Sequence, residues 1–334
     1  MDKKMILFPL FGMIGALVLT LLITFPILSM TPKDIPVGVI SLDRGITTPA
    51  GDVNAGDKII KKFIKSDNDL INFQKEESSK KLKDNLENGK YYATITVPKD
   101  FTKSNGNTKI KVVINEGLNP MVTMSLSTLF SSMGEKMNMD FDISSIHSVS
   151  SLGIKAMLMP MMLILITFVT SLIVSFLITN NIKDNSRFKE YLFQLLYLIV
   201  MAFIIGFIVS FIAITIAGVD ISIFKTGLYL SLVSISLMLL VNGVVNLFGK
   251  KGIIIPMILF VLGMGLVQIP YEYINGVWQV IVASWEPFRY VGIGIREVLY
   301  QGHGVINKSF ISLLVISIIG LLFSIVNITK KKTS

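Results

Sequence analysis

The chain contains no cysteine. Disulfides, thiolate zinc sites and cysteine nucleophiles are excluded with it. Only two histidines occur, His147 and His303, and they lie far apart in sequence. That argues against a histidine-based metal cluster or a Ser-His-Asp triad, and no cofactor or metal is implied. No G-x-x-x-x-G-K-[ST] run occurs, and Gly249-Lys250-Lys251-Gly252 is only a charged loop. G-x-S-x-G and H-E-x-x-H are missing too. The chain therefore has no P-loop route to ATP hydrolysis and no visible catalytic constellation, so it does not read as an enzyme. Charge is scarce as well, at 16% of residues, where a soluble domain carries about 25%.

What is present is apolar. Of 334 residues, 52% are hydrophobic, and the mean hydropathy is +0.67. A span needs ~20 mostly apolar residues to cross ~30 Å of hydrocarbon. Six segments qualify: Met5–Met30, Ile154–Thr179, Tyr191–Ala217, Thr226–Phe248, Ile253–Ile269 and Phe310–Ile328. The fifth carries Pro256, Gly263 and Gly265. The first is too long for the core of a signal peptide, and no A-x-A site follows it.

The net charge of +9 suggests nucleic acid until it is placed on the chain. Residues 31–152 hold 16 Lys/Arg against 15 Asp/Glu, so the surplus flanks the apolar segments. Lys3 and Lys4 precede span one, and Lys183, Arg187 and Lys189 separate spans two and three. Lys250 and Lys251 separate four and five, and Lys330, Lys331 and Lys332 follow six. Six spans put all of these cations on one side, which the positive-inside rule makes cytoplasmic. Both termini are then inside and residues 31–152 are extracellular. The expectation is a polytopic α-helical cell-membrane protein in three parts. These are a first span (1–30), an extracellular α+β domain (31–152) and a five-helix membrane domain (153–334), with no nucleic-acid partner.

The outer segment reads as β-α-β-α-β-β. Pro36–Asp43 is a β-rich run, Gly56–Ser66 has a helical apolar stripe, and Ile71–Phe73 is a weak strand. Ser78–Asn88 pairs Leu82 with Leu86 ahead of Gly89. Tyr91–Val97, stopped by Pro98, and Lys109–Asn115 are strands. Asn119–Ser151 is expected to form a Met/Ser-rich helix or helix pair, a stalk into span two. Its methionines at 121, 124, 133, 137 and 139 suit packing better than a copper site.

The span centres hold almost no ionisable residue, which argues against an ion-coupled carrier. Asn242 and Asn246 stand four apart in span four, either as an interhelical hydrogen bond or as the lining of a polar path. Residues 271–304 look like two short helices entering and leaving the outer leaflet before span six. Tyr271, Tyr273, Trp278, Trp285, Tyr290 and Tyr300 suit an interfacial belt. Arg289 and Arg296 share a helical face, with Glu286 and Glu297 beside them. They serve either interfacial salt bridging and snorkelling, or a charged outer gate built from Trp285, Glu286, Pro287, Arg289, Arg296 and Glu297, or contact with a lipid or substrate headgroup.

Two regions match known families. PVGVISLDRG (36–45), NAGDKIIKKF (54–63), LENGKYYATITVPKDFT (86–102) and KIKVVINEGLNP (109–120) resemble the outer region of the YhgE/Pip family, the phage-infection-protein-like membrane proteins. WEPFRYVGIGIREVLYQG (285–302) is similar to the last outer segment shared by that family and type-2 ABC exporter permeases, with Pro287 and Arg296 in the matching places. The stalk is shorter than in longer members. Only four residues precede span one, where many such permeases have a cytoplasmic helix.

The resemblance implies an exporter membrane subunit moving an amphiphilic compound, such as a peptide antibiotic, drug or lipid-like molecule. A separate cytoplasmic P-loop ATPase would power it, and a second copy or a paralogue would pair with it among membrane lipids. Coupling to the ATPase would rest on residues 180–190, with Lys183, Asp184, Arg187, Phe188, Lys189 and Glu190. The alternative is an ATP-independent surface protein of the phage-receptor or secretion-apparatus type, binding a protein through its outer domain.

Overall fold

Alternation along one strand organises the first part of the molecule. In β1 (Ile35–Ser41), Val37 and Val39 are fully buried on one face, and Ile40 is buried on the other. A strand buried on both faces belongs inside a sheet covered on two sides. The computed structural model describes residues 32–49, 51–65, 69–104, 108–181 and 188–332. The chain divides into two units, with Thr31–Met157 forming one and the residues from Leu158 onward belonging to the other.

The first unit is an α/β layer structure. After β1 come a small hairpin, β2 (Ile46–Thr48) and β3 (Gly51–Val53), then α1 (Ala55–Lys65) and β4 (Ile71–Lys75). Next are α2 (Ser79–Glu87), β5 (Ala93–Val97), β6 (Ile110–Asn115), α3 (Pro120–Met137) and β7 (Phe141–Ile146). The main sheet has the order β4-β1-β5-β6-β7. β1 pairs parallel with β4 and β5 across the helical connections, and β5 pairs antiparallel with β6. Leu82, Leu86 and Tyr91 cover Ile40 on one face. Ile59, Ile60 and Phe63 of α1 are buried, and Phe63 stacks on Phe73 with ring centroids 5.2 Å apart. Each such buried side chain contributes ~1.5–3 kcal/mol of transfer free energy.

Past Asn119 the structure departs from an all-helical stalk. Asn119 caps α3 by accepting from the N–H of Met121 at 3.0 Å. The helix stops at Met137 because Asn138 takes a left-handed conformation, with φ 50° and ψ 45°. Phe141–Ile146 then joins the sheet parallel to β6, in register from Ile110↔Phe141 to Asn115↔Ile146. Phe141 meets Phe130 of α3 edge-on at 6.5 Å. A right-handed crossover through α3 is the usual way to reach such a parallel neighbour.

The second unit is helical. It contains α4 (Lys155–Asn181) from Leu158 onward, α5 (Phe188–Ala217), α6 (Ile223–Phe248), α7 (Ile254–Leu266), α8 (Pro287–Tyr300) and α9 (Phe310–Lys332). The expected first span lies outside the described residues. Three helical stretches among those described are long and apolar enough to cross a membrane: Lys155–Thr179, Lys189–Ala217 and Ile223–Leu266. Phe310–Val326 is a shorter apolar helix. α4 and α5 carry outward apolar side chains such as Ile173, Leu177, Phe193 and Phe211, as a lipid-facing surface requires. α6 is buried along most of its length, packed against α5 and α9.

The third stretch is not one straight span. Gly249 has φ 70°, and Gly252 packs against the carbonyl of Val244, eight residues back. A continuous helix would separate them by ~12 Å. The chain therefore bends sharply between α6 and α7. The expected fifth span (253–269) is a helix of only 13 residues, ~20 Å long. Pro256 is tolerated in it because it sits in the first turn.

Candidate functional site

The segment before α9 is built around a buried carboxylate. Short helical turns run from Gly276 to Ala283, and α8 begins at Pro287. Glu286 is 0% exposed and caps α8. Its Oε1 accepts from the N–H of Phe288 at 3.1 Å, and its Oε2 from the N–H of Arg289 at 2.8 Å. A carboxylate there satisfies two orphan donors and faces the positive end of the helix dipole. Gly263 of α7 lies directly against the carboxylate, where a Cβ would overlap it.

Both arginines turn to backbone carbonyls. Arg289 donates from Nη1 to Ala283 O at 3.2 Å, and its guanidinium sits 4.8 Å over the Tyr271 ring and 5.6 Å over Tyr290. Arg296 donates from Nη1 to Val267 O at 2.8 Å, at the carboxyl end of α7. Arg289, Arg296 and Glu297 are buried, while Trp285 is half exposed and donates its indole N–H to Ile281 O. Among the described residues Glu286 and Arg289 form no ion pair with each other. Phe288 closes the arrangement from below with a triple ring contact. Phe168 stacks on Phe260 at 4.0 Å, and Phe288 meets both edge-on. α4, α7 and α8 are thereby tied together.

A second polar cluster crosses four helices. Asn242 is 0% exposed. Its Nδ2 donates to Thr179 Oγ1 at 2.9 Å, and its Oδ1 accepts from Ser324 Oγ at 3.0 Å and Asn246 Nδ2 at 3.1 Å. Gln194 Nε2 also donates to Thr179 Oγ1, at 3.1 Å, and Ser175 Oγ donates to Met238 O at 2.9 Å. Helices α4, α5, α6 and α9 therefore share one hydrogen-bonded chain. Within a single copy, both asparagines serve it.

The family model for ABC-2 family transporter proteins matches residues 4–326. The chain belongs to the ABC-2 transporter family. No curated protein and no solved structure matches it. The family is one of transporter membrane components, which pair with an ATPase and work as dimers in general.

Of the expected coupling residues in this ABC-2 chain, Lys183, Asp184 and Arg187 lie outside the described residues. Phe188 begins α5, Lys189 is exposed and Glu190 is half-buried.

Three features of the first unit escaped the sequence reading. Glu76 is buried and accepts from the Tyr91 hydroxyl at 2.6 Å and from Asn85 Nδ2 at 2.8 Å. Lys81 and Lys90 stand 3.1 and 3.6 Å away. The Tyr91 bond, against the opposing effect of burial and with help from the lysines, holds Glu76 below the usual carboxylate range. Burial and the adjoining Glu76 push Tyr91 up to about 12. Burial raises the Asp43 carboxyl, but four hydrogen bonds outweigh that and hold it low. They come from the Thr102 hydroxyl and from the N–H groups of Gly56, Thr102 and Gly45. The third feature is a cavity of about 600 Å³ between the start of α3 and residues 149–157. Its lining residues are not contiguous in sequence, and only Met124 and Ile154 hint at it.

Proposed function

We propose that this chain is the membrane subunit of an ABC-type exporter that moves an amphiphilic or hydrophobic compound out of the cell. The observation that carries the reading is a transporter-family match spanning nearly the whole chain, in a sequence that has no nucleotide-binding loop of its own. Energy must then come from a separate cytoplasmic ATPase. A second copy or a paralogue completes the path.

In this reading six helices cross the membrane, both termini are cytoplasmic and the α/β unit is extracellular. The distribution of lysine and arginine supports that orientation. α7 completes the fifth crossing together with the residues up to Ile269. The Gly276–Tyr300 segment sits in the outer leaflet, where Glu286 and Arg289 bond backbone groups of the segment itself and Arg296 bonds the carbonyl of Val267 at the end of α7. These three residues, with Trp285, Pro287 and Glu297, form the outer gate. Residues 180–190 receive the push of the ATPase. The finer kinship, with the YhgE/Pip group, rests on the motifs at 36–120.

Transport is the test. Inside-out vesicles from cells with and without the gene are given a fluorescent lipophilic amine and ATP in the outer medium, which faces their cytoplasmic surface. ATP-dependent uptake that requires the chain is expected. Equal uptake in both vesicle types contradicts the reading.

A further inference from the structure

The 600 Å³ cavity in the α/β unit has the build of a ligand pocket. Pockets for drug-sized molecules hold about 300–1,000 Å³ and combine apolar walls with a few polar groups. Here the apolar wall is Met124, Val149, Ile154 and Met157, with hydroxyls from Thr123 and Thr128. Met124 and Ile154 are 69% and 71% exposed, which is high for large apolar side chains beside one another. Methionine adapts its shape to varied apolar partners.

One charged group lines the cavity, Glu116. Its Oε2 accepts from Ser148 Oγ at 2.8 Å and from the N–H groups of Val149 and Ser150 at 2.9 and 3.2 Å. Those bonds fix the carboxylate in place. Its Oε1 accepts no hydrogen bond among the described residues, and no lysine or arginine pairs with it. All three donors to Glu116 are neutral, so the negative charge is positioned but not neutralised. A cationic head satisfies it through a charge-assisted hydrogen bond.

We propose that this cavity binds a cationic amphiphile, with its alkyl part against Met124, Ile154 and Met157 and its ammonium group on Glu116 Oε1. The proposal deepens the exporter reading by naming a class of cargo, and rests on that reading only for calling the ligand a cargo. Binding itself stands on the cavity alone.

The test uses the full chain in lipid nanodiscs and a dodecylammonium probe bearing a diazirine. Photolabelling is expected on peptides containing Met124 and residues 149–157. Excess dodecylamine should suppress it roughly tenfold more effectively than dodecanol or dodecanoate, the preference one charge-assisted bond gives. Met124→Trp fills the pocket from an exposed position and should abolish labelling while α3 stays folded. Glu116→Gln should remove the preference for the amine over the alcohol. Equal competition by amine, alcohol and acid marks a site for any lipid tail and overturns the proposal. Labelling that survives Met124→Trp overturns it as well. Neither result bears on whether an ATPase co-purifies, so failure here is distinguishable from failure of the exporter reading.

Discussion

Gly243 of α6 and Gly320 of α9 meet backbone to backbone. A Cβ on Gly243 would press on the carbonyl of Gly320, and one on Gly320 would press on the carbonyl of Leu239. Membrane helices lack a hydrophobic driving force toward each other, so close approach through small residues supplies the packing. Ser236 strengthens the same seam by donating to Leu313 O at 3.0 Å and accepting from Ser317 at 3.0 Å. Gly320→Val should cost ~1–3 kcal/mol, because the obstacle is backbone and cannot rotate away. A lowered thermal midpoint in detergent checks this. An unchanged midpoint would mean that α9 does not sit on α6 as described.

The Asn242 network should be measurable as a coupling. Asn242→Leu removes the bonds that Thr179, Asn246 and Ser324 make to it. In membrane proteins such interhelical bonds average only ~0.6 kcal/mol. A double-mutant cycle of Asn242→Leu with Ser324→Ala should return a coupling of about that size. A cycle that adds without coupling would remove the bond from the account.

Gly263 tests the Glu286 cap. Gly263→Ala would push the carboxylate off the N–H groups of Phe288 and Arg289. Loss of such a cap costs ~1 kcal/mol. Because the chain has no cysteine, a single Val280→Cys gives a clean reporter for this segment. Its maleimide labelling rate should rise when Gly263→Ala is added. The same rate in both backgrounds contradicts the packing of α7 against Glu286.

Acid should weaken the α/β unit. Glu76 and Asp43 have folded-state pKa values lowered from the usual 4.5 and 3.8. Their stabilising contribution is therefore present above those usual values and is lost as pH falls through the lowered ones. In the full chain, the urea midpoint for proteolysis of the α/β unit should hold from about pH 7 to about pH 5 and fall below about pH 4. Glu76→Gln should flatten part of that fall. It should also bring Tyr91 down from about 12 by removing a nearby negative charge.

Sequence pattern carries the elements whose signal is local. β1, α1, β5 and β6 announce themselves through alternation or a 3.6-residue stripe, and Pro98 ends β5. β7 does not, because Phe141-Asp142-Ile143-Ser144-Ser145-Ile146 earns its place by pairing with β6, a partner 31 residues away at Ile110↔Phe141. The candidate gate shows the same limit. Charge spacing in WEPFRYVGIGIRE suggests salt bridges and does not reveal that Glu286 and Arg296 bond to backbone groups. Arg296 finds Val267 only through tertiary packing, and Glu286 is accommodated only because residue 263 is glycine. Hydropathy marks residues 253–269 as a span, whereas the helix within them has 13 residues. Composition gives the length of an apolar run but not where its hydrogen bonding breaks.

The central claim is that a separate ATPase drives this chain. The most direct measurement is affinity purification of the tagged full chain in mild detergent, scored for a co-purifying P-loop ATPase and for ATP hydrolysis. The expected result is a stoichiometric ATPase that is lost when residues 180–190 are replaced by a Gly/Ser linker. Recovery of the intact, folded chain with no ATPase would contradict the exporter reading.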